Sequence, residues 1–173
     1  MELSGLLRLN LGCGARPLEG YVNVDLRAMP GVDLVHDLDV YPWPWSDDSV
    51  DRIEMHQVLE HLGDHNRAMR EIHRILRPGG TAYISVPHFT WQYAFHDPTH
   101  RSFWGYQTFF YYFNRGGYFD FQFASVRVRL EFGKGRAFYN RLIEPIANRW
   151  PYLYESTPLR VFPAMKVHAW LTK

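Results

Sequence analysis

Two glycines and an acidic residue near the start of the chain constrain its fold more than any other feature. An apolar strand over residues 7–11 runs into Gly12-Cys13-Gly14, and a second short strand over 21–24 ends on Asp25. Glycines let a backbone pass close to a ligand where a Cβ would collide. A carboxylate at the end of the next strand can accept hydrogen bonds from both hydroxyls of a ribose. The pattern therefore predicts a nucleoside site at the carboxyl edge of a parallel sheet.

The spacing of this motif limits the choice of nucleoside. The dinucleotide fingerprint needs a third glycine that opens a helix, and its acidic residue follows about 20 residues later. Here Pro17 stands at the third glycine position, and Asp25 follows Gly14 by only 11 residues. Too little chain remains for a helix whose N-terminus could hold a pyrophosphate. A nucleoside ligand without phosphates fits better, and S-adenosylmethionine (SAM) is such a ligand.

Hydrophobic periodicity predicts the remaining elements. Further strands are expected over 32–38, 49–55, 81–86, 123–132 and 165–171. Helical spacing of apolar residues predicts a short helix over 58–62, a longer one through 69–76 that stops at Pro78-Gly79-Gly80, a buried short helix over 109–113, and a helix over 138–150 with a kink at Pro145. Alternation of strands and helices predicts an α/β fold with parallel pairing.

Composition excludes several functional classes. The formal net charge is +1, which gives no electrostatic argument for binding nucleic acid. Cys13 is the only cysteine, so an intramolecular disulfide and a multi-cysteine metal site are excluded. No secretory signal precedes the first strand, and no apolar run approaches the roughly 20 residues that span a bilayer. We therefore expect a single-domain cytoplasmic protein over residues 1–173 that contacts neither nucleic acid nor membrane.

A set of motifs in a specific order gives a more definite prediction. Over residues 7–87 the chain contains Leu9-Asn10-Leu11-Gly12-Cys13-Gly14, Asp25, His36-Asp37-Leu38, Val58-Leu59-Glu60-His61-Leu62 and Leu76-Arg77-Pro78-Gly79-Gly80. In this the chain resembles the class I SAM-dependent methyltransferases, in particular the type-11-like group and its small bacterial variants. The resemblance implies a mostly parallel Rossmann-like sheet of about seven strands with an antiparallel C-terminal strand. It also implies an enzyme whose cofactor is SAM.

The resemblance assigns a cofactor site residue by residue. It implies eight cofactor-binding residues: Asn10, Gly12, Cys13, Gly14, Asp25, Asp37, Leu38 and His56. The glycine turn is expected to pass the methionine moiety, and Asp25 to bind the ribose. Asp37 is expected to reach the adenine amino group, with Leu38 beside the ring, while His56 and Gln57 line the cleft. For Glu60 and His61, contact with the ligand and a solvated or capping position both remain open.

The chain departs from the family in one respect. The links between its first three strands are too short for the helices that the family usually has there. We therefore expect these first crossover helices to be reduced or absent. The sheet face that they would cover needs another cover, because burial of apolar surface is worth about 25 cal/mol per Å². Either the aromatic segment described next or a partner subunit provides it, and this predicts a homodimer.

Residues 88–123 are predicted to form an aromatic-rich insertion or lid on the acceptor side. Within 89–123, 16 of 35 residues are Phe, Tyr or Trp, too many to remain in solvent. Most of these rings can simply build the core or an interface. Alternatively, some form a pocket for a hydrophobic or sugar-like acceptor, or hold the sulfonium by cation–π contact. The rings considered for that second role are Trp91, Tyr93, Phe103, Trp104 and Tyr106.

Histidines after the fifth predicted strand are the candidates for acceptor chemistry. A general base assists methyl transfer to a hydroxyl or a protonated amine, and histidine titrates near neutrality. We predict a catalytic group of His96, Asp97 and His100, which lie in a segment similar to one in small predicted bacterial methyltransferases. Two alternatives remain open: hydrogen bonds that only brace the loop, and a metal ion held by His88, His96 and His100. Because Pro98 argues against a regular helix here, no metal is assigned.

The leading functional prediction is SAM-dependent methyl transfer to oxygen or nitrogen of a small molecule by in-line displacement. Transfer of an aminopropyl group from decarboxylated SAM shares the fold. It usually needs an acidic pocket for a polyamine, however, whereas this segment is aromatic and rich in histidine. A non-catalytic SAM-binding partner or scaffold protein remains an alternative. A histidine-based metalloprotein that has lost SAM binding is a further one.

Overall fold

The computed structural model describes residues 5–113, 117–133 and 138–173. Its strands are β1 (Arg8–Leu11), β2 (Val22–Asp25), β3 (Leu34–Val35), β4 (Val50–His56), β5 (Leu76–Pro87), β6 (Ser125–Glu131) and β7 (Lys166–Thr172). They form a seven-stranded sheet in the order β3-β2-β1-β4-β5-β7-β6. Strands β1 to β5 pair in parallel, and β7 pairs antiparallel with both β5 and β6. The predicted fold class, a mostly parallel sheet with an antiparallel C-terminal strand, is confirmed.

The helices begin only after β4. They are α1 (His65–Ile75), α2 (Tyr93–His96), α3 (Asn140–Arg149) and α4 (Pro151–Ser156), with 3-10 turns at Leu59–His61, Thr108–Tyr112 and Pro158–Val161. The N-terminus of α1 is capped by Asp64, whose Oδ1 accepts from the backbone N of Arg67 at 2.9 Å. No helix lies between β1 and β4, so the absence of the first crossover helices is confirmed. In the described ranges, no helix is long and apolar enough to cross a membrane.

Several element boundaries differ from those expected. Helix α1 ends at Ile75, and Pro78-Gly79-Gly80 bulges out of β5 where its register with β4 shifts. The strand expected over 32–38 is reduced to Leu34–Val35, and the helix expected over 58–62 is a single 3-10 turn. The helix expected over 138–150 ends at Arg149, because Pro151 starts α4 as a separate helix.

The sheet has one apolar and one polar face, because side chains alternate along each strand. Buried residues of the first face, such as Ile53 and Met55, join the core with Met69 and Ile72 of α1. From β1, the sheet extends through β2 to β3 on one side and through β4 to β5 on the other. Since crossovers are right-handed, helices of the first three strands would lie on the face opposite α1. That opposite face is therefore the one without crossover helices.

This opposite face is polar. Glu54 Oε1 accepts from Arg52 Nη2 at 2.7 Å, and Glu54 Oε2 lies 3.3 Å from His56 Nε2. Further along the sheet, the hydroxyl of Tyr83 lies 2.6 Å from Nδ1 of His168. These polar contacts let the face remain in water. The physical argument for a homodimer, a bare apolar face, therefore does not apply to it.

The aromatic segment divides into inner and outer rings. The inner rings are buried in the core: Trp104, Phe109, Tyr112 and Phe123. They pack against α1, where the hydroxyl of Tyr112 donates to Asn66 Oδ1 at 2.7 Å. The outer rings are about half exposed: Tyr93 at 52%, Phe95 at 59% and Phe103 at 52%. The core interpretation is confirmed for the inner rings, and a lid stays a prediction for the outer ones; residues 114–116 lie outside the described residues.

Candidate functional site

Two glycines with left-handed backbone angles shape the turn after β1. The φ angle is +69° at Gly12 and +52° at Gly14. A Cβ on Gly12 would lie 2.3 Å from Cγ2 of Val58, so any larger residue would collide there. A Cβ on Gly14 would meet no atom within 4 Å. The first glycine is thus required for packing, and the second leaves open space beside the turn.

A cleft of about 520 Å³ opens beside this turn at the carboxyl edge of the sheet, a size typical of small-molecule sites. Its lining comes from Asn10, Gly12, Cys13, Gly14, Ala15, Arg16, Leu18, His56, Gln57, Ser85 and Lys166. Five of the eight predicted cofactor residues are in this set: Asn10, Gly12, Cys13, Gly14 and His56. The Asn10 amide also holds the turn in shape, because it donates to the Arg16 carbonyl and to Asn23 Oδ1.

Asp25 lies at the end of β2, at the border of the cleft. Its Oδ2 accepts from the backbone N of Gly14 at 2.8 Å, and its Oδ1 accepts from the backbone N of Arg27 at 3.2 Å. A carboxylate oxygen has about two acceptor sites, so each oxygen retains one for a ligand hydroxyl. Although Asp25 is not part of the cleft lining, its bond to Gly14 fixes the carboxylate next to it.

Asp37 and Leu38 follow β3 on the same edge of the sheet. The backbone N of His36 donates to the Asp25 carbonyl at 2.9 Å, which joins the ends of β2 and β3. Asp37 is exposed, and Leu38 is buried beneath it. Neither residue lines the cleft, so the structure places them beyond Asp25 along the edge. Within the described residues, Nε2 of His36 is buried without a hydrogen-bond partner.

Gln57 combines a strained backbone angle with a buried polar atom that lacks a hydrogen-bond partner, and both features are typical of a ligand site. Its φ is +55°, which residues with a side chain rarely adopt and which occurs often at functional sites. Its backbone N donates to the Ser85 carbonyl at 2.8 Å, and this bond ties the end of β4 to β5. Its Nε2 is buried and has no partner among the residues that the structure describes. A ligand acceptor atom in the cleft would satisfy this donor.

Sequence reasoning missed Ser85 and Lys166 as cleft residues. Lys166 is the first residue of β7 and pairs with Pro87 at the end of β5. Because β7 is antiparallel, it begins at the edge where the parallel strands end. The sequence signal would have been this pairing direction, since it brings a lysine at the start of the last strand to the carboxyl edge.

The predicted catalytic residues lie together in sequence but have different surroundings. His96 is exposed, and its ring packs edge-on against Tyr93 with centroids 5.4 Å apart. Asp97 Oδ1 accepts from the hydroxyl of Thr99 at 2.6 Å and from its backbone N at 2.9 Å, which lowers the pKa of Asp97. His100 is largely buried, and its Nε2 is 3.9 Å from Asp97 Oδ2. The structure thus brings Asp97 and His100 near each other and leaves His96 on the surface.

His100 instead joins Glu60 and His61 in a cluster that the sequence did not predict. One side-chain donor atom from each residue lies within 4.8 Å of the others. The rings of His61 and His100 are edge-to-face, with centroids 4.7 Å apart. Burial raises the pKa of Glu60 to about 8, and the Asp97 carboxylate also raises it. Burial, and then the charge of His100, lower the pKa of His61.

The metal set considered from the sequence, with His88, is not assembled in the structure. His88 is fully buried; its Nδ1 lies 2.7 Å from Thr90 Oγ1, and its Nε2 lies 3.0 Å from Glu155 Oε1. Both ring nitrogens therefore have hydrogen-bond partners: the Nε2 contact joins the segment after β5 to α4, and the Nδ1 contact is local. His88 is a bracing residue, because its ring has no nitrogen left for a metal ion.

Sequence comparisons connect this geometry to known proteins. The sequence model of a family described as a methyltransferase domain matches residues 19–84. A probable S-adenosylmethionine-dependent methyltransferase from Mycolicibacterium smegmatis is 41% identical over 58 residues. That match covers 34% of this chain and 22% of the relative, so the aligned part spans about a fifth of that protein's length.

Solved structures share the fold over nearly the whole chain. A SAM-dependent methyltransferase from Archaeoglobus fulgidus has a TM-score of 0.62 at 17% identity, covering 98% of this chain and 87% of that one. Phosphoethanolamine N-methyltransferase 2 from Haemonchus contortus, in complex with S-adenosyl-L-methionine, has a TM-score of 0.61 at 16% identity, covering 97% and 48%. At these identities the likeness establishes the fold.

Proposed function

We propose that this chain, a member of the class I SAM-dependent methyltransferases, moves a methyl group from SAM to an oxygen or nitrogen atom of a small-molecule acceptor. The observation that carries the proposal is the cleft beside Gly14, which borders the Asp25 carboxylate and contains the unpartnered amide of Gln57. The family match over residues 19–84 supports the same assignment.

The cleft residues fit the parts of SAM. The open side of Gly14 leaves room for the methionine moiety, and the remaining acceptor sites of Asp25 suit the ribose hydroxyls. The Lys166 ammonium is complementary to the carboxylate of the methionine tail. Asp37 and Leu38 would hold the adenine further along the edge. When bound, SAM supplies an electrophilic methyl group on its sulfonium.

The acceptor is proposed to enter beside α2, where the outer aromatic rings are exposed. His100 is suited to act as a base there. Its Nδ1 lies 2.9 Å from the Ala94 carbonyl, which can only accept, so the proton is on Nδ1 and Nε2 has a free lone pair. That lone pair can take a proton from a hydroxyl or an ammonium. His96 offers an exposed imidazole on the same loop, and Asp97 braces the loop through Thr99.

An acceptor screen tests the proposed activity. The wild type is expected to release S-adenosylhomocysteine (SAH) only when a suitable hydroxyl or amine acceptor is present. His100→Asn is expected to lower turnover by at least about 100-fold, the contribution of a general base, with unchanged affinity for SAM. His96→Asn is the comparison variant, because it makes the same substitution at an exposed histidine of the same loop. SAM binding without acceptor-dependent SAH over a broad panel would favour a non-catalytic SAM-binding protein.

The homodimer and the cytoplasmic location stay predictions from the sequence. Exposed apolar side chains near α3 and α4 provide a surface for a dimer: Phe138, Leu142, Trp150, Tyr152 and Val161. We expect light scattering at micromolar concentration to give twice the 20.5 kDa of the chain. A mass of one chain under those conditions would contradict the prediction.

A further inference from the structure

We propose that Glu60, His61 and His100 bind one divalent transition-metal ion, with at least one coordination position open. The three residues come from two segments, the 3-10 turn after β4 and the loop after α2. The backbone connects these segments, because Arg101 N donates to the Glu60 carbonyl at 2.7 Å. The cluster is therefore built into the fold at the exit of β4.

The hydrogen bonds of His61 leave its Nε2 free to bind a metal. The hydroxyl of Thr99 donates its only proton to Asp97 Oδ1 at 2.6 Å. Thr99 Oγ1 therefore accepts from His61 Nδ1, which lies 2.8 Å away. This fixes the tautomer with the proton on Nδ1 and the lone pair on Nε2. A carboxylate that orients a ligating histidine in this way, here through a hydroxyl, is typical of metal sites.

His100 has the same tautomer for an independent reason. Its Nδ1 donates to the Ala94 carbonyl at 2.9 Å, so its Nε2 has the free lone pair. A backbone carbonyl is the other common partner of a ligating histidine. Two neighbouring imidazoles thus each present an unprotonated Nε2, and each is oriented by a second residue.

Glu60 completes the donor set with a carboxylate that lacks any other partner. The residue is 1% exposed, and both carboxylate oxygens are without a hydrogen-bond partner among the described residues. An ionised carboxylate that is buried without a partner is costly, so this group either keeps its proton or binds a cation that offsets its charge. Within the described part of the chain, the backbone N–H of Glu60 itself is the one donor near enough to lower the pKa of this carboxyl, and neither oxygen has a partner at hydrogen-bond geometry.

Two imidazoles and one carboxylate indicate a transition metal such as Zn²⁺ or Fe²⁺. One side-chain donor atom of each residue lies within 4.8 Å of the others. Ligands held about 2.1 Å from one ion in tetrahedral geometry lie about 3.4 Å apart, so binding draws the side chains together by up to about 1.4 Å. Three protein ligands leave room for a water or for a donor atom of the acceptor. Gln57 of the cleft lies three residues before Glu60 in the sequence.

Metal binding goes beyond the proposed methyl transfer and occupies the Nε2 lone pair of His100, so this imidazole acts as a base only in the metal-free chain. The test of metal binding needs neither SAM nor an acceptor. We expect the chelator-treated full chain to bind one Zn²⁺ in calorimetry and to retain it through gel filtration. Glu60→Gln is the main variant, because it keeps the shape of the side chain and removes the negative charge. We expect it to bind Zn²⁺ at least 100-fold more weakly, since even losing a residue that only orients a metal ligand costs about 10–100-fold in affinity. Thr99→Val, which removes the hydroxyl that links His61 to Asp97, is expected to weaken Zn²⁺ binding about tenfold.

His96→Asn is the matched control, because it removes a nearby histidine that the cluster does not include. It is expected to keep the affinity of the wild type for Zn²⁺. A wild type that binds no stoichiometric Zn²⁺ overturns the proposal. Loss of Zn²⁺ binding in His96→Asn, together with retained binding in Glu60→Gln, also overturns the proposal. A thermal midpoint that Zn²⁺ raises in the wild type and in Thr99→Val, but not in Glu60→Gln, would support the site independently.

Discussion

Gly14→Ala is expected to weaken the binding of SAM by at least about tenfold while the protein stays folded. At a φ of +52° a residue with a Cβ costs about 1–2 kcal/mol of folding free energy. The new Cβ meets no protein atom within 4 Å, so it takes up space in the cleft. A loss of only about 1.4 kcal/mol of binding free energy already corresponds to tenfold in affinity. Calorimetry with SAM, together with urea denaturation, measures both effects.

Gly20→Ala is the matched control for backbone strain. Its φ is +76°, its Cβ would also meet no atom within 4 Å, and it is not part of the cleft lining. We expect the same cost in stability and no change in SAM affinity. Equal loss of SAM affinity in the two variants would show that strain, rather than the cleft, causes the effect. We expect Gly12→Ala to lose about 1–3 kcal/mol more folding stability than Gly14→Ala or Gly20→Ala, because its Cβ collides with Val58.

Asp25→Ala is expected to weaken the binding of SAM by about 10- to 100-fold. Hydrogen bonds to a charged group contribute about 1.5–3 kcal/mol, and this carboxylate has acceptor sites free for two hydroxyls. The change also removes the acceptor for the backbone N of Gly14, which holds the turn against β2. Both effects act at the same border of the cleft. Calorimetric titration of the variant with SAM measures their sum.

Asp25→Asn separates these two contributions. The amide oxygen can still accept from the backbone N of Gly14, whereas the second carboxylate oxygen is replaced by a donor. We expect an affinity between those of the wild type and Asp25→Ala. If Asp25→Ala binds SAM as well as the wild type does, the carboxylate is not a ribose ligand.

The glycine turn and its neighbour Asp25 could be predicted, because the residues that form them are close together in the sequence. Gly12, Gly14 and Asp25 lie within 14 residues, and the structure joins Gly14 directly to Asp25. The resemblance to a known family implies the seven-stranded sheet, and the short links between the first strands predict the missing crossover helices. Both are confirmed, and the resemblance to SAM-dependent methyltransferases is confirmed by a methyltransferase-domain match over residues 19–84.

The cluster of Glu60, His61 and His100 depends on contacts between residues that are distant in sequence, and hydrophobic periodicity does not reveal such contacts. Glu60 and His100 are 40 positions apart, and a backbone bond between their two segments brings them together. His88 seemed equally suited to a metal, but its partner Glu155 comes from α4, a helix that was not predicted. The polar sheet face was missed because the short links were interpreted as exposing apolar surface. Arg52 and Glu54 alternate with buried residues there.

Calorimetric titration of the wild-type chain with SAM and with SAH tests the central claim most directly. We expect both ligands to bind at one site per chain, and Asp25→Ala to bind each of them more weakly. The same titrations need no knowledge of the acceptor or of any metal ion. A folded wild type that binds neither ligand would contradict the account.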